Sequence, residues 1–374
     1  MIVVIGAGPA GLASAAMLRR AGAEVVVLDR GGVGDAWTKR YDRLHLHTVR
    51  WLSCLPGYRM PRDFGKWPTH ARVLEYLQRY AEHHRLDVRT GVEAWRVVRG
   101  ESGWVVETPD GEFAAERVVV ATGFSSVPFI PDWPGEFAGE IVHSADYRNP
   151  APYVGRRVLV VGAGNSGAEI AADLAEGGAA EVSIAVRTPP SIVRRDTLGV
   201  PSQLFGIASS HLPVGVVDQV AATMRRVSIP DLTAEGLPAP ERPYSDFLRR
   251  RVIPIIDVGL VAGVRSGRIR VVPALERLDG GRVVLADGSS VEVDAIVAAT
   301  GFRTGLEPLV GHLGVLDERG EPVVHGPEEH PEARGLNFVG FRLTLGGTFR
   351  LVGSQAQQLG HAYTGSDYGS TVLT

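Results

Sequence analysis

Residues 2–11 read IVVIGAGPAG, and residues 158–167 read VLVVGAGNSG. Each is a run of Val, Ile and Leu that breaks into three glycines spaced as in G-x-G-x-x-G. An apolar run without polar alternation suits a parallel strand covered on both faces. The glycines then turn the chain sharply into a helix. Gly6 and Gly162 permit the tight turn, Gly8 and Gly164 let the backbone come close to a diphosphate, and Gly11 and Gly167 let helix and strand pack closely. The first amides of such a helix have no backbone partner, and its dipole favours an anion there.

The likeness between the two stretches extends well beyond them. The first continues as a helical stretch to Leu18, a strand over residues 25–28, a DG turn at Asp110 and Gly111, and VVVATGF ending at Phe124. The second continues as a helix over 168–174, a strand over 182–186, a DG turn at Asp287 and Gly288, and IVAATGF ending at Phe302. The order is the same both times, so the chain predicts an α/β protein of two Rossmann-like dinucleotide-binding domains. The second is expected as an insertion in the first. The boundaries read as 1–150 for the first domain, 151–298 for the inserted one, and 299–374 for the completion of the first. The proline-rich stretch 128–152 is read as the outgoing connection.

The length of 374 residues fits two such domains, and 44% apolar against 22% charged residues with a net charge of -3 is a globular profile. The basic residues are scattered, and the run Arg249 to Arg251 is too short to follow a nucleic-acid backbone, so no nucleic-acid partner is expected. Neither a secretion signal nor a membrane-spanning run is read, and a cytoplasmic location is expected. A homo-oligomer is left open. Cys54 is the only cysteine, which excludes a dithiol redox pair, an internal disulfide and a thiolate zinc cluster.

The residue that ends the second strand separates the two turns. Asp29 stands there in the first, where a carboxylate accepts hydrogen bonds from both ribose hydroxyls of an adenosine. Arg187 and Thr188 stand there in the second. A carboxylate would repel a ribose phosphate, whereas a guanidinium binds one in a bidentate fork, so the second turn favours NADPH over NADH. The plainer alternative is that Arg187 is a solvated strand end.

Between the turns, residues 137–147 read FAGEIVHSADY. Phe137, Gly139, His143 and Tyr147 match every fixed position of the fingerprint of flavin-containing monooxygenases, which this chain resembles. Baeyer-Villiger relatives typically end the fingerprint in tryptophan, so Tyr147 favours the other branch. AWTKRYDRLHLHT from Ala36, IIDVGLVAGVRSGRIRV from Ile255 and GLNFVGF from Gly335 are similar to the YUCCA-type members and their bacterial relatives.

The resemblance implies FAD in the first domain, NADPH in the second, and a small organic substrate with molecular oxygen. By the same resemblance NADPH would reduce the flavin, the reduced flavin would capture oxygen as a C4a-peroxide, and one oxygen atom would pass to substrate, in N- or S-oxidation or oxidative decarboxylation. An NADPH-dependent oxidase or reductase that inserts no oxygen is the alternative. By resemblance, Ala10, Trp37, Val92, Ala121, Thr122 and Gly123 line FAD, and Asn165 and Ser166 lie beside the NADP diphosphate. His143 and Tyr147 would tie the domains and help position the nucleotide, although His143 could equally serve local backbone groups. His47 is read as a flavin-side donor, against a plain structural histidine. An alternating LHLH strand would put His45 and His47 on one face, but no third ligand is spaced to make a metal site.

Residues 189–254 are the least legible part. Residues 216–227 and 247–264 have helical apolar spacing, and the segment is open to two readings, a substrate pocket or further cover for the second sheet.

Overall fold

The computed structural model describes residues 1–197, 199–209, 212–240, 243, 245–246, 253–344 and 346–365. The chain separates into two compact units. One comprises residues 1–38, 48–127 and 302–374, and the other residues 39–47 and 128–301.

In the first unit the strand Ile2–Ile5 lies at the centre of a five-stranded parallel sheet. The strand order is Leu336–Phe338, Arg117–Val120, Ile2–Ile5, Val25–Asp29, Asp87–Thr90. All four residues of Ile2–Ile5 are buried, as an unbroken apolar run requires when both faces are covered. Helix Pro9–Arg20 follows the first glycine turn, with Pro9 filling a position whose amide would have no partner anyway. Helix Thr348–Thr364 packs against it closely enough that Gly360 has only 3.0 Å between its missing Cβ and the Met17 carbonyl. The chain thus returns from residue 302 onward to complete this unit. The stretch after His361, which the sequence reads as a fraying end, continues helix Thr348–Thr364 as far as Thr364, and residues 366–374 lie outside the described residues.

The second unit repeats the plan. Its parallel sheet runs Ile269–Pro273, Glu181–Val186, Arg157–Val161, Ala295–Ala298, Glu140–His143. Helix Asn165–Glu176 follows the second glycine turn. Each unit also carries a three-stranded antiparallel meander. These are Arg96–Gly100, Gly103–Thr108 and Gly111–Ala115 in the first, and Leu275–Asp279, Arg282–Leu285 and Ser290–Glu292 in the second. The two DG turns occupy the same place in both, joining the last two meander strands, and Gly111 and Gly288 take φ values of +135° and +81° there.

Three local expectations are corrected. Stretch 128–152 is not only a connection. Its Glu140–His143 is an edge strand of the second sheet, paired to Ala295–Ala298, and residues 39–47 and 128–150 group with the second unit rather than the first. Residues 44–47 form no strand. They run between a turn and a bend with only His45 in a bridge, because the segment buries Leu46 and packs Leu44 on the core of the second unit instead of joining a sheet. The stretch 247–264 is not all helix. Residues 247–252 lie outside the described residues, Ile255–Asp257 is a strand beside Ile192–Arg194, and only Leu260–Arg265 is helical. Helix Val214–Ser228 contains the other expected helix.

Candidate functional site

The two glycine turns repeat each other atom for atom. The Gly6 amide donates to the Leu28 carbonyl at 2.8 Å, and the Gly162 amide donates to the Ala185 carbonyl at 3.2 Å. Gly6 and Gly162 have φ of +109° and +112°, a region L-residues avoid, and a Cβ on either would meet the carbonyl oxygen of Ala121 or Ala299 at 2.6 and 2.5 Å. A Cβ on Gly11 would lie 1.8 Å from the Gly6 oxygen, and one on Gly167 lies 1.9 Å from the Gly162 oxygen. These are steric requirements of the fold itself. Gly8 and Gly164 are different, because a Cβ on either meets nothing within 4 Å.

Neither helix start has a side-chain cap. Open space over the middle glycine and uncapped amides beside it form a cradle for a diphosphate, and the residues fit a dinucleotide at both turns. Ala121, Thr122 and Gly123 lie against the first turn through the Gly6 contact, with the Ala121 amide donating to the Ile5 carbonyl at 2.8 Å. Ala299, Thr300 and Gly301 stand in the same relation to the second, with the Ala299 amide on the Val161 carbonyl at 2.8 Å.

In the first unit Asp29 accepts hydrogen bonds from the Ala7 amide at 2.6 Å and the Gly31 amide at 2.8 Å. The Val92 amide donates to the Asp29 carbonyl at 3.0 Å, which puts Val92 beside that acid. Ala10 is buried, and Gly340 of the returning segment would clash with its Cβ at 2.8 Å if it carried a side chain. Trp37 lies on the short helix Asp35–Thr38, its ring edge-on to Phe349 at 6.0 Å.

In the second unit Arg187 and Thr188 are exposed at the end of Glu181–Val186, and neither has a hydrogen-bond or ion-pair partner among the described residues. Asn165 is placed at the turn, but its side chain is already engaged. It donates to the Pro254 carbonyl at 3.2 Å and accepts from the Ile256 amide at 2.7 Å, which leaves its backbone amide for a ligand. Ser166 lies one residue further along, half-buried.

The fingerprint residues make all their described hydrogen bonds within the second unit. Phe137 packs on an apolar cluster with Leu278 and Val283. Gly139 is held to glycine because a Cβ would lie 2.5 Å from the Asp294 carbonyl and 2.7 Å from the Phe137 ring. Buried His143 bonds through Nε2 to the Gly301 carbonyl at 2.9 Å, while its Nδ1 accepts from the Ala145 amide at 3.1 Å. This fixes a neutral imidazole with its proton on Nε2, and burial lowers its pKa in the same sense. His143 thus holds the turn that touches Gly162. Tyr147, buried against Tyr153 and Tyr41, donates to the Asp173 carboxylate at 2.7 Å on helix Asn165–Glu176.

His47 lies in the second unit, half-buried, with an Nδ1 that is inaccessible to water and has no hydrogen-bond partner among the described residues. Burial, then the nearby Arg195 and His45 charges, lower its pKa to about 4, so it is neutral over the physiological range. The Arg195 guanidinium donates to the Leu46 carbonyl, and His45 Nδ1 bonds to the Arg43 carbonyl at 2.8 Å.

The acids of one helical stripe escaped the sequence reading. Glu169, on helix Asn165–Glu176, is only 2% exposed and accepts a hydrogen bond from the buried Tyr41 hydroxyl. Glu169, Asp173 and Glu176, four and three residues apart, share one helical stripe, and Tyr41, Tyr147 and Arg43 meet them in turn. The sequence reading assigns this stripe no role, and the signal that could have found it is the pair of tyrosines at 41 and 147.

Two glycine-turn sheets, one with an acid and one with an exposed arginine at the end of the second strand, are the fold of a flavoprotein that takes two dinucleotides. The comparisons agree. The pyridine nucleotide-disulphide oxidoreductase family matches residues 3–198. Indole-3-pyruvate monooxygenase YUCCA8 of Oryza sativa is 36% identical over 359 residues, covering 90% of this chain and 84% of that protein. The probable indole-3-pyruvate monooxygenase YUCCA3 of Arabidopsis thaliana is 31% identical over 356 residues, covering 91% and 81%. A flavin-containing monooxygenase from Stenotrophomonas maltophilia superposes with a TM-score of 0.72 at 27% identity, over 97% of this chain and 98% of that one. The chain belongs to the flavin-containing monooxygenase family. It is an FAD- and NADPH-dependent monooxygenase acting on a small-molecule substrate and oxygen. A lone cysteine removes the dithiol chemistry in the name of the matched family model.

Proposed function

We propose that the unit containing residues 1–38, 48–127 and 302–374 holds FAD and the unit containing 128–301 holds NADPH, and that the enzyme oxygenates a small organic substrate. The observation that carries the assignment is the contrast at equivalent strand ends, Asp29 with its carboxylate on the first turn and Arg187 with no partner. A wild-type and a doubly substituted Stenotrophomonas enzyme are both similar in structure, and the latter replaces adjacent glutamine and histidine by arginine and threonine. This chain has arginine followed by threonine at 187 and 188.

FAD, when bound, supplies the hydride acceptance and oxygen activation, and the chain supplies the rest. The amides of Ala10 and Gly11 and the Asp29 carboxylate would hold one dinucleotide, with Trp37, Val92 and residues 121–123 beside it. The amides of Asn165, Ser166 and Gly167 would hold the other, with Arg187 and Thr188 on its ribose phosphate. His143 and Tyr147 act as positioning residues, one on Gly301 and the other on Asp173. His47 presents a neutral imidazole, able to donate one hydrogen bond without releasing a proton to its surroundings.

The relatives at 31% and 36% identity are named for indole-3-pyruvate, so 2-oxo acids are the first class to assay, ahead of amines and thioethers. The balanced reaction is 2-oxo acid, oxygen, NADPH and a proton giving the shortened carboxylic acid, carbon dioxide, NADP+ and water. The test supplies labelled oxygen gas and follows NADPH, peroxide and product together. One labelled atom in the product per NADPH consumed is expected. Peroxide equal to NADPH for every candidate class would instead establish an oxidase. The proposal includes a cytoplasmic enzyme without nucleic-acid or membrane partners, resting on the scattered charge of the sequence. No described helix is long and apolar enough to cross a membrane.

A further inference from the structure

Asn165 opens helix Asn165–Glu176 directly after Gly164, and its side chain bonds to backbone 89 and 91 residues further on. Its Nδ2 donates to the Pro254 carbonyl at 3.2 Å, and its Oδ1 accepts from the Ile256 amide at 2.7 Å. A carbonyl can only accept and an amide N–H can only donate, so these partners fix the orientation of the carboxamide. A residue in a parallel strand bonds to its neighbour in the same way, through the carbonyl before the residue opposite and the amide after it. The residue opposite is Ile255. The Asn165 carboxamide thus takes the place of a further strand on that edge.

The other edge of Ile255–Asp257 is paired in parallel to Ile192–Arg194, and the Ile255 amide donates to the Ser191 carbonyl at 2.8 Å. Successive amides of a strand serve opposite edges, which is why Ile255 bonds to Ser191 and Ile256 to Asn165. Among the described residues these two three-residue strands form a sheet by themselves. A two-stranded ladder is marginal on its own, so its anchors decide where it lies. Ile192 and Ile255 are buried in the core of this unit, and Asn165 holds the edge.

Ser191 stands four residues after Arg187, and the link between them is Thr188, Pro189 and Pro190. Each proline fixes its own φ at about -65°, so the link is stiff as well as short. On its other side Arg187 follows strand Glu181–Val186, whose last residue pairs with Pro273. The Arg187 backbone is therefore held by a sheet before it and by the strand that Asn165 anchors after it.

We propose that Asn165 is a positioning residue for coenzyme choice: through residues 254–256 and Ser191, its side chain sets where Arg187 and Thr188 stand relative to the second glycine turn. The proposal rests on the reading that the second unit holds NADPH and that Arg187 meets its ribose phosphate. One residue then serves both ends of the nucleotide. The Asn165 backbone amide belongs to the diphosphate cradle, which NADPH and NADH would use alike, while its side chain acts on the phosphate that NADPH alone carries. A guanidinium fork needs alignment as well as charge, so a shifted Arg187 weakens one coenzyme and spares the other.

The test titrates FAD-loaded enzyme with NADP+ and with NAD+ and takes the ratio of the two affinities. Asn165→Ala removes both side-chain bonds and keeps the backbone amide, and its preference for NADP+ should fall about tenfold. Combined with Arg187→Ala it should lower the preference no further than Arg187→Ala alone, since a misplaced arginine and an absent one lose the same contact. Asn165→Asp is a second variant should alanine not fold. It keeps the acceptor for Ile256, loses the donor to Pro254, and sets an acid favourably at the helix start. Its charge weakens both coenzymes through their common diphosphate and cancels in the ratio, which should lie between those of wild type and Asn165→Ala. A purely structural side chain would lower the unfolding midpoint and leave the ratio alone. A wild-type ratio in both Asn165 variants overturns the proposal, and so does a double variant in which the two losses multiply in full. If Arg187→Ala itself keeps the wild-type ratio, the reading of the second turn falls and this inference with it. A ratio lowered by Arg187→Ala and untouched by change at Asn165 removes the inference alone.

Discussion

The Asp29 carboxylate accepts a hydrogen bond from the Ala7 amide at 2.6 Å, so the acid at the end of the second strand braces the very turn whose dinucleotide it is expected to bind. Its other oxygen takes the Gly31 amide. An ionised carboxylate has about four acceptor sites, so two backbone amides leave room for two ribose hydroxyls. Asp29→Ala removes the brace and the ribose contact together. Hydrogen bonds to a charged group contribute about 1.5–3 kcal/mol each, so the variant should purify without flavin colour and melt lower, with added FAD giving little recovery. Visible flavin absorbance per protein decides it. Full flavin content in Asp29→Ala would show that the acid braces the turn and does nothing for ribose.

Gly164 and Gly167 lie three residues apart in one turn and should fail in different ways. Gly164 has φ of -96°, which alanine adopts freely, and open space where its Cβ would go. Gly164→Ala should leave the nucleotide-free melting curve within about 0.5 kcal/mol of wild type, as surface changes do, and still lose NADP+ binding. Gly167→Ala forces a methyl to within 1.9 Å of the Gly162 carbonyl. Overpacking of this kind costs about 1–3 kcal/mol, so the melt itself should fall. Thermal unfolding with and without NADP+ separates the two, and an unaltered nucleotide affinity in Gly164→Ala would remove the cradle from the account.

The same contrast explains what the sequence could disclose. Gly6, Gly11, Gly162 and Gly167 are imposed by local sterics, and a local pattern therefore announces them, along with the apolar strands they follow. Which core a short segment joins is not local. Leu44 and Leu46 alternate as a strand would, yet Leu44 packs on the core of the second unit and Leu46 is buried with only His45 between them in a bridge, and nothing within 39–47 says so. Glu140–His143 is only four residues long and framed by prolines, so its edge pairing to Ala295–Ala298 is set by a partner some 150 residues away. Glu169 is hidden for the same reason. An acid on a helix stripe reads as solvated until Tyr41, 128 residues earlier, is seen to cover it.

On the proposed reading Arg187 carries the nucleotide preference, as one exposed side chain with no partner among the described residues. A guanidinium on a ribose phosphate is a charge-assisted contact of about 1.5–3 kcal/mol, which corresponds to roughly 10- to 100-fold in affinity. Arg187→Ala should raise the KM for NADPH by that factor and change the KM for NADH little. Steady-state kinetics with both coenzymes checks it, and equal increases would mean that Arg187 does not read the phosphate. Its melting temperature should match wild type, since the side chain is bonded to nothing described.

His47 and Glu169 make opposite demands on acid stability, and each masks the other. His47 titrates near pH 4 in the folded chain against 6.5 for the free side chain. The unfolded state therefore binds its proton first, and the stability due to neutral His47 is present above about pH 6.5 and lost as pH falls toward about 4. Glu169 titrates near 7 against 4.5. Here the folded state binds the proton first, so the contribution is fully present below about pH 4.5 and lost as pH rises through about 7. Each shift is about 2.5 pH units, an upper bound of about 3 kcal/mol apiece, so wild type should vary little between these limits. His47→Gln removes the imidazole's contribution, and its unfolding midpoint should rise relative to wild type on acidification from about pH 7 to about pH 4.5. Glu169→Gln removes the carboxyl's contribution, and its midpoint should fall relative to wild type across about pH 6.5 to about pH 4. Parallel midpoint curves for the two variants would mean that these groups are not buried as the structure has them, since two opposite slopes require two sites shielded from water.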